Sequence, residues 1–257
     1  RWLLRRRADD SDSVYVTERF GVRSLHIGSD TIQSSMRLAR PNDLELAYTR
    51  SMMAFLLFNE QPQRVLLVGL GGGSLLKFIY HRLPWVGIEA VEVNPKVVLI
   101  ARQQFHVPLD DERLTVRIGD GAEYVAREAA PADVIAVDGY DGESQVEELS
   151  SPAFYEVCRQ RLNGGGVLVV NLWGSDRKFN EYLERVEAAF PAGTLCLPAE
   201  KPGNIIVFGF RDAPGNPDWS ELALRARELE TRYELEFTKF VRSLRKMNRC
   251  DEHRLYI

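Results

Sequence analysis

Short unbroken apolar runs alternate along this chain with stretches in which apolar residues recur every three or four positions. Val65 to Val68 is such a run. It breaks at Gly69-Leu70-Gly71-Gly72-Gly73-Ser74 and is followed by Leu75, Leu76, Ile79 and Leu83 at helical spacing. The same alternation then repeats. Ile88 to Val93, Arg113 to Ile118, Ala132 to Val137 and Val167 to Leu172 read as strands, separated by helical patterns from Asn94-Pro95, over 122–129 and over 152–162. A helix over 178–190 leads to a closing strand pair, Thr194 to Leu197 and Ile205 to Phe210. Strand–helix alternation calls for right-handed crossovers, so the pattern predicts an α/β fold: a mostly parallel seven-stranded sheet with helices on both faces. Before it, Val14 to Thr17, Arg23 to Ile27 and Thr31 to Gln33 predict a small antiparallel β region, and Pro41-Asn42-Asp43 predicts the start of a helix reaching Asn59. After it, Asp218 to about Met247 reads as one long helix with an apolar stripe that must cover the core or a partner subunit. The expected division is a mobile lead-in over 1–12, a β domain over 13–40, a ligand-binding domain over 41–212 and a helical tail over 213–257.

In an open parallel sheet, ligands bind outside the carboxyl ends of the strands, and chemistry collects there in this sequence. The turn at Gly69, Gly71 and Gly73 allows close approach to a helix N-terminus. Glu92 ends the second strand at the distance, about 20 residues on, where a carboxylate takes ribose hydroxyls. Asp120 with Gly121 follows the third strand, and Asp138 with Tyr140 and Asp141 follows the fourth. A single acid after a strand reads equally as a helix N-cap, whereas a series of such ends points to a nucleoside-containing ligand. NAD is the weaker choice, because Asp120 and Asp138 have no required place in the dinucleotide pattern.

Composition narrows the partners. The 257 residues carry a net charge of −4, which excludes an overall basic nucleic-acid surface despite the cluster at Arg1, Arg5, Arg6 and Arg7. Cys158, Cys196 and Cys250 are odd in number and far apart, which fits neither a disulfide framework nor a zinc site and predicts a reducing, cytoplasmic setting. The four histidines lack metal-like spacing, so no metal is expected. No apolar run approaches the roughly 20 residues of a membrane span.

These residues together resemble the spermidine synthase family of polyamine aminopropyltransferases, over about Val14 to Phe210. The resemblance implies a Rossmann-like fold of the class I S-adenosylmethionine methyltransferase type. It also implies aminopropyl transfer from decarboxylated S-adenosylmethionine to a small polyamine-like amine, releasing methylthioadenosine, and a homodimer. By the same resemblance Gly69, Gly71 and Gly73 hold the nucleoside thioether, Glu92 the ribose, Asp120 with Gly121 the adenine, and Gln33 closes over the ligand. Asp138 is the implied general base, with Tyr48 kept from the family's gate helix. A carboxylate suits that role, since a protonated amine must lose a proton before it attacks the carbon beside a sulfonium. Beside that resemblance, Asp141 and Glu200 are carboxylates that would attract a cationic amine, and Tyr140 follows a strand near the acceptor.

Three departures from the family pattern bear on substrate. Gly72 stands where the family has an aspartate that holds the aminopropyl amine. Leu44 replaces the first acid of Asp-Glu-x-x-Tyr, leaving Glu45 and Tyr48, and Glu200 stands where a tyrosine helps to hold the polyamine. Two alternatives therefore stay open: a transferase using S-adenosylmethionine itself, with S-adenosylhomocysteine as product, and a non-catalytic nucleoside-binding protein.

Overall fold

The computed structural model describes residues 13–141, 144–200 and 203–257; the expected lead-in over 1–12 lies outside them. Three strands, β1 (Val14–Arg19), β2 (Val22–Ile27) and β3 (Ile32–Arg37), form an antiparallel sheet in the order β1-β2-β3. The third strand runs four residues beyond the expected end at Gln33. Ser34, Ser35 and Met36 are buried, since this end of β3 packs against the main domain.

The second sheet has the seven strands anticipated. In chain order these are β4 (Arg64–Val68), β5 (Gly87–Glu92), β6 (Leu114–Ile118), β7 (Ala132–Val137), a long strand Leu162–Trp173, Thr194–Pro198 and Asn204–Phe210. The two-residue strands Tyr140–Asp141 and Ser144–Gln145 form a hairpin after β7 and are β8 and β9, so the last three of the large sheet are β10, β11 and β12. Their spatial order is β11-β12-β10-β7-β4-β5-β6, with β12 antiparallel to both its neighbours and the rest parallel. Strands β4 and β7 are adjacent, yet the chain leaves β4 toward β5 and leaves β7 toward β10. Their ends form the switch point where a crevice opens.

The intervening helices are α2 (Ser74–Arg82), α3 (Pro95–Gln104), α4 (Gly121–Arg127), α5 (Pro152–Arg161) and α6 (Phe179–Ala189). Asn94, Asp120 and Ser151 each cap one of them, accepting from Lys96, Glu123 and Phe154 backbone N–H groups respectively.

Two expected helices are corrected. The one expected from Pro41 to Asn59 begins only at Ala47, as α1 (Ala47–Met52), and tightens into a 3-10 turn over Met53–Leu57. Residues 40–46 turn instead, because the chain must climb from the end of β3 to the core. Arg37 pairs with Glu45, and the Pro41 carbonyl accepts a hydrogen bond from Lys77 at 2.7 Å. Leu44 still reaches the core, which is why its position matched a helical stripe.

The expected helix from Asp218 to Met247 is two, α7 (Trp219–Tyr233) and α8 (Phe237–Leu244), broken where Glu234 takes a left-handed conformation at φ 57°. A straight helix of that length would extend about 45 Å and carry its stripe off the sheet. The break returns Phe237, Phe240 and Leu244 to the apolar core shared with Leu195, Leu197 and Phe208. Among the described residues no helix is long and apolar enough to cross a membrane.

Candidate functional site

Two cavities meet at the switch point. The larger, about 560 Å³, runs over the ends of β4, β5 and β7 and is lined by Gln33, Gly69, Gly71, Glu92, Gly121, Asp138 and Tyr140, among others. The smaller, about 340 Å³, lies between α1 and the ends of β7, β10 and β12, against Gln33, Tyr48, Asp138, Tyr140, Asn171, Trp173 and Asn204. Gln33, Asp138 and Tyr140 belong to both.

The glycine turn brings the two strand ends into contact. Gly69 sits at φ 95°, and a Cβ there would lie 2.4 Å from the Asp138 carbonyl oxygen, so only glycine fits. The Asp138 N–H donates to the Val68 carbonyl at 3.0 Å, which extends the β4–β7 ladder to the last residue before the crevice. Glu92, nearly buried, accepts from the Leu70 N–H at one oxygen and the Asn94 N–H at the other, both at 3.0 Å. Backbone thus fixes the plane of this carboxylate at the cavity wall while lone pairs remain for hydroxyl donors.

Asp138 is held from two sides. The Tyr48 hydroxyl on α1 lies 2.9 Å from its Oδ2 and 3.0 Å from the Gln33 carbonyl, and the Asn171 Nδ2 donates to its Oδ1 at 3.0 Å. Asn171 in turn accepts from Asn204 Nδ2 at 2.9 Å. Burial pushes the Asp138 carboxyl above the ordinary aspartate range, Glu92 adds to the rise, and the bonds from Asn171 and Tyr48 oppose it. Burial and the same Asp138 push the Tyr48 phenol up, so it stays protonated as a donor. Tyr140 accepts from the Trp173 N–H at 2.5 Å, and their rings meet edge to face at 6.2 Å.

Other expected residues fall elsewhere. Gly73 is the left-handed N-cap of α2 and lines neither cavity. Asp120 caps α4 through Oδ1 and opens onto a neighbouring cleft that shares Val91 with the larger cavity. Glu200 is exposed, paired with Lys239 and absent from both walls. Asp141 pairs with Ser144 along the backbone, and its side chain lies outside the described residues.

Sequence reasoning missed Asn171 and Asn204. The available signal was a lone amide within Val169-Val170-Asn171-Leu172, since a polar side chain inside an apolar strand needs a partner. Gly72 also gains meaning. A Cβ there would lie 2.6 Å from Ser34 Oγ and 2.9 Å from the Phe105 ring, so the space an acidic side chain would use is filled. Among the described residues no group of acids, histidines and cysteines is arranged to hold a metal.

The spermine/spermidine synthase domain model matches residues 45–196. A polyamine aminopropyltransferase from Chromobacterium violaceum is 42% identical over 235 residues, covering 91% of this chain and 90% of that protein. The solved structure of human methyltransferase-like protein 13 in complex with SAH superposes with a TM-score of 0.66 at 29% identity, over 74% of this chain and 93% of that one. A spermidine synthase solved in complex with the transition state analogue AdoDATO shares the fold, with a TM-score of 0.57 at 23% identity over 78% of this chain and 75% of that one.

Proposed function

Because the chain belongs to the spermine/spermidine synthase domain family, we propose that it is an aminopropyltransferase, with decarboxylated S-adenosylmethionine in the larger cavity and a polyamine-like amine in the smaller. The observation that carries this reading is the position of Asp138. It is the one carboxylate, among the described residues, in the wall of both cavities.

The larger cavity suits the donor's nucleoside. Glu92 takes ribose hydroxyls on its remaining lone pairs, and the Gly69–Gly71 turn leaves backbone-close space for the thioether end. Val93 in the cavity wall and Ile118 in the neighbouring cleft, 67% and 58% exposed, offer apolar surface to a purine face. Asp120 with Gly121 stands beside it for the adenine amine, and Gln33 closes the cavity from β3. In the smaller cavity Tyr140, Trp173 and Tyr48 wall an apolar slot, with Asp138 at its inner end.

The amine enters as an ammonium and is drawn to the Asp138 carboxylate, which accepts one of its protons. The freed lone pair then attacks the carbon beside the sulfonium. A C–N bond forms as the C–S bond breaks, the bonding pair stays on sulfur, and neutral methylthioadenosine leaves. No metal or redox partner enters the balance. Holding both reactants on either side of one carboxylate removes much of the entropic barrier.

Asp138→Asn tests the assignment. Turnover should fall by about 100-fold or more while calorimetric binding of methylthioadenosine stays near wild type. Undiminished turnover rules out Asp138 as the base.

A second reading, methyl transfer from S-adenosylmethionine, draws on Gly72. With Ser34 and Phe105 over it, this turn carries no anchor for a bare aminopropyl amine, and the human methyltransferase-like relative has the same fold. The curated relative that spans nearly the whole chain favours aminopropyl transfer.

A further inference from the structure

We propose that Asn204 and Asn171 are positioning residues that fix the direction of the hydrogen bond reaching Asp138, so that a donor and never an acceptor faces the base. The proposal rests on the reading of Asp138 given above.

Both amides are costly where they stand. Asn171 lies two residues before the end of β10, 2% exposed between Val170 and Leu172 at 0%, and Asn204 opens β12 at 4%. The antiparallel register sets Trp173 opposite Asn204 and Asn171 opposite Ile206, so the two amides are diagonal neighbours on one sheet face. A buried amide needs partners for its polar ends, and Asn171 has one at each, Asn204 on its oxygen and Asp138 on its NH₂.

The polarity of the chain follows from the amide group itself, which has one donor end and one acceptor end. Asn204 Nδ2 donates to Asn171 Oδ1 at 2.9 Å. Asn171 therefore turns its own NH₂ toward Asp138 Oδ1, at 3.0 Å. A flipped Asn171 would set its carbonyl against the carboxylate and lose the Asn204 bond as well. Asn204 thus governs a group it does not touch. A donor on a carboxyl group favours the ionised form, which is the form a base needs, whereas an acceptor favours the acid.

The other titratable groups facing Asp138 are accounted for by element. Tyr48 from α1 donates to it, Glu92 from β5 repels its charge, and Tyr140 from β8 is a neutral phenol in the same wall. From β10 the Asn171 amide reaches it, and Asn204 on β12 reaches only Asn171.

The test is the pH profile of kcat/KM for methylthioadenosine release, measured for wild type and three variants at position 204. Asn204→Leu removes the donor and frees Asn171 to turn. Asn204→Asp attracts the Asn171 NH₂ and so presents its carbonyl to Asp138. Asn204→Gln keeps a donor. The acidic limb should move to higher pH by about one unit in the leucine variant and further in the aspartate variant, a tenfold or greater loss near the wild-type limb with recovery at high pH. The glutamine variant should stay within about threefold of wild type. Ionisation of the amine substrate shapes every profile alike and cancels in the comparison.

A rate loss that is uniform across pH in both the leucine and aspartate variants overturns the proposal, as does a glutamine variant shifted as far as leucine. Methylthioadenosine binding by calorimetry shows which variants keep their fold; should the aspartate variant lose it, the nearly isosteric leucine variant decides. Failure of the underlying reading looks different: the wild type itself would show no acidic limb, or Asp138→Asn would retain turnover.

Discussion

Asp138 and Glu92 are two carboxylates in one crevice with different surroundings, and their surroundings divide the work. Glu92 is gripped by two backbone N–H groups, so it stays an acceptor of fixed direction. Its replacement by Gln should weaken methylthioadenosine binding by roughly 30-fold, about 2 kcal/mol for hydrogen bonds to a charged group, with far less effect on the chemical step. Calorimetry alongside single-turnover rates checks this; unchanged affinity removes Glu92 from the ribose. A third ionisable group, Lys77, is 1% exposed and donates to the Pro41 carbonyl, and burial lowers its pKa to about 8. Between about pH 8 and its unfolded value near 10.5, the unfolded chain binds the extra proton, so this residue makes stability rise with pH. Relative to Lys77→Met, the wild-type protein should gain about 2 kcal/mol from pH 7 to about pH 9.5 in urea unfolding. A constant difference between the two proteins across that range contradicts the buried-charge account. Lys77 was not legible in the sequence, where it sits at a helical position that a solvated lysine fills equally well. Asn171 and Asn204 were hard to read for a related reason: a lone amide in an apolar strand signals a partner but does not name it, and the partner here is 33 positions away.

At the scale of elements, the apolar runs of central strands such as β4 and β7 were plain because strands buried on both faces are nearly continuous in Val, Ile and Leu. Helix starts were plain wherever a capping side chain marked them, as at Asn94 and Ser151. The two misjudged helices share a cause. Leu44 and Phe237 keep the helical spacing of their neighbours, yet each reaches the core from beyond a turn, so periodicity alone overran the boundary. Glu234 is the residue that makes the second turn, and a left-handed backbone costs a non-glycine residue about 1 kcal/mol. Its ion pair with Arg82 is largely exposed and contributes little. Glu234→Gly should therefore raise stability by about 0.5–1 kcal/mol, a rise in Tm of about 1–4 °C. A fall in Tm would show that the carboxylate, not the backbone, matters at that corner.

Across the whole molecule, the topology explains why so much of the site could be read early. Every strand of the parallel core delivers its last residue to one edge, so Gly69, Glu92 and Asp138 meet although they are far apart in sequence. Tyr48 and Gln33 join from outside that core, on α1 and β3, and close the crevice between sheet and β region. Loop chemistry was less legible than strand-end chemistry. Glu200 lies on a loop whose path the sequence does not dictate, and it faces Lys239 rather than either cavity. The role proposed for Asp138, between a nucleoside cavity and an amine cavity, is to serve the transfer of an aminopropyl group. It is tested most directly by offering the purified protein decarboxylated S-adenosylmethionine or S-adenosylmethionine, each with a panel of diamines, and identifying the products by mass spectrometry. Methylthioadenosine and an amine heavier by one aminopropyl unit, in equal amounts, are expected from the decarboxylated donor. S-adenosylhomocysteine with a methylated acceptor, and no methylthioadenosine from either donor, would contradict that role.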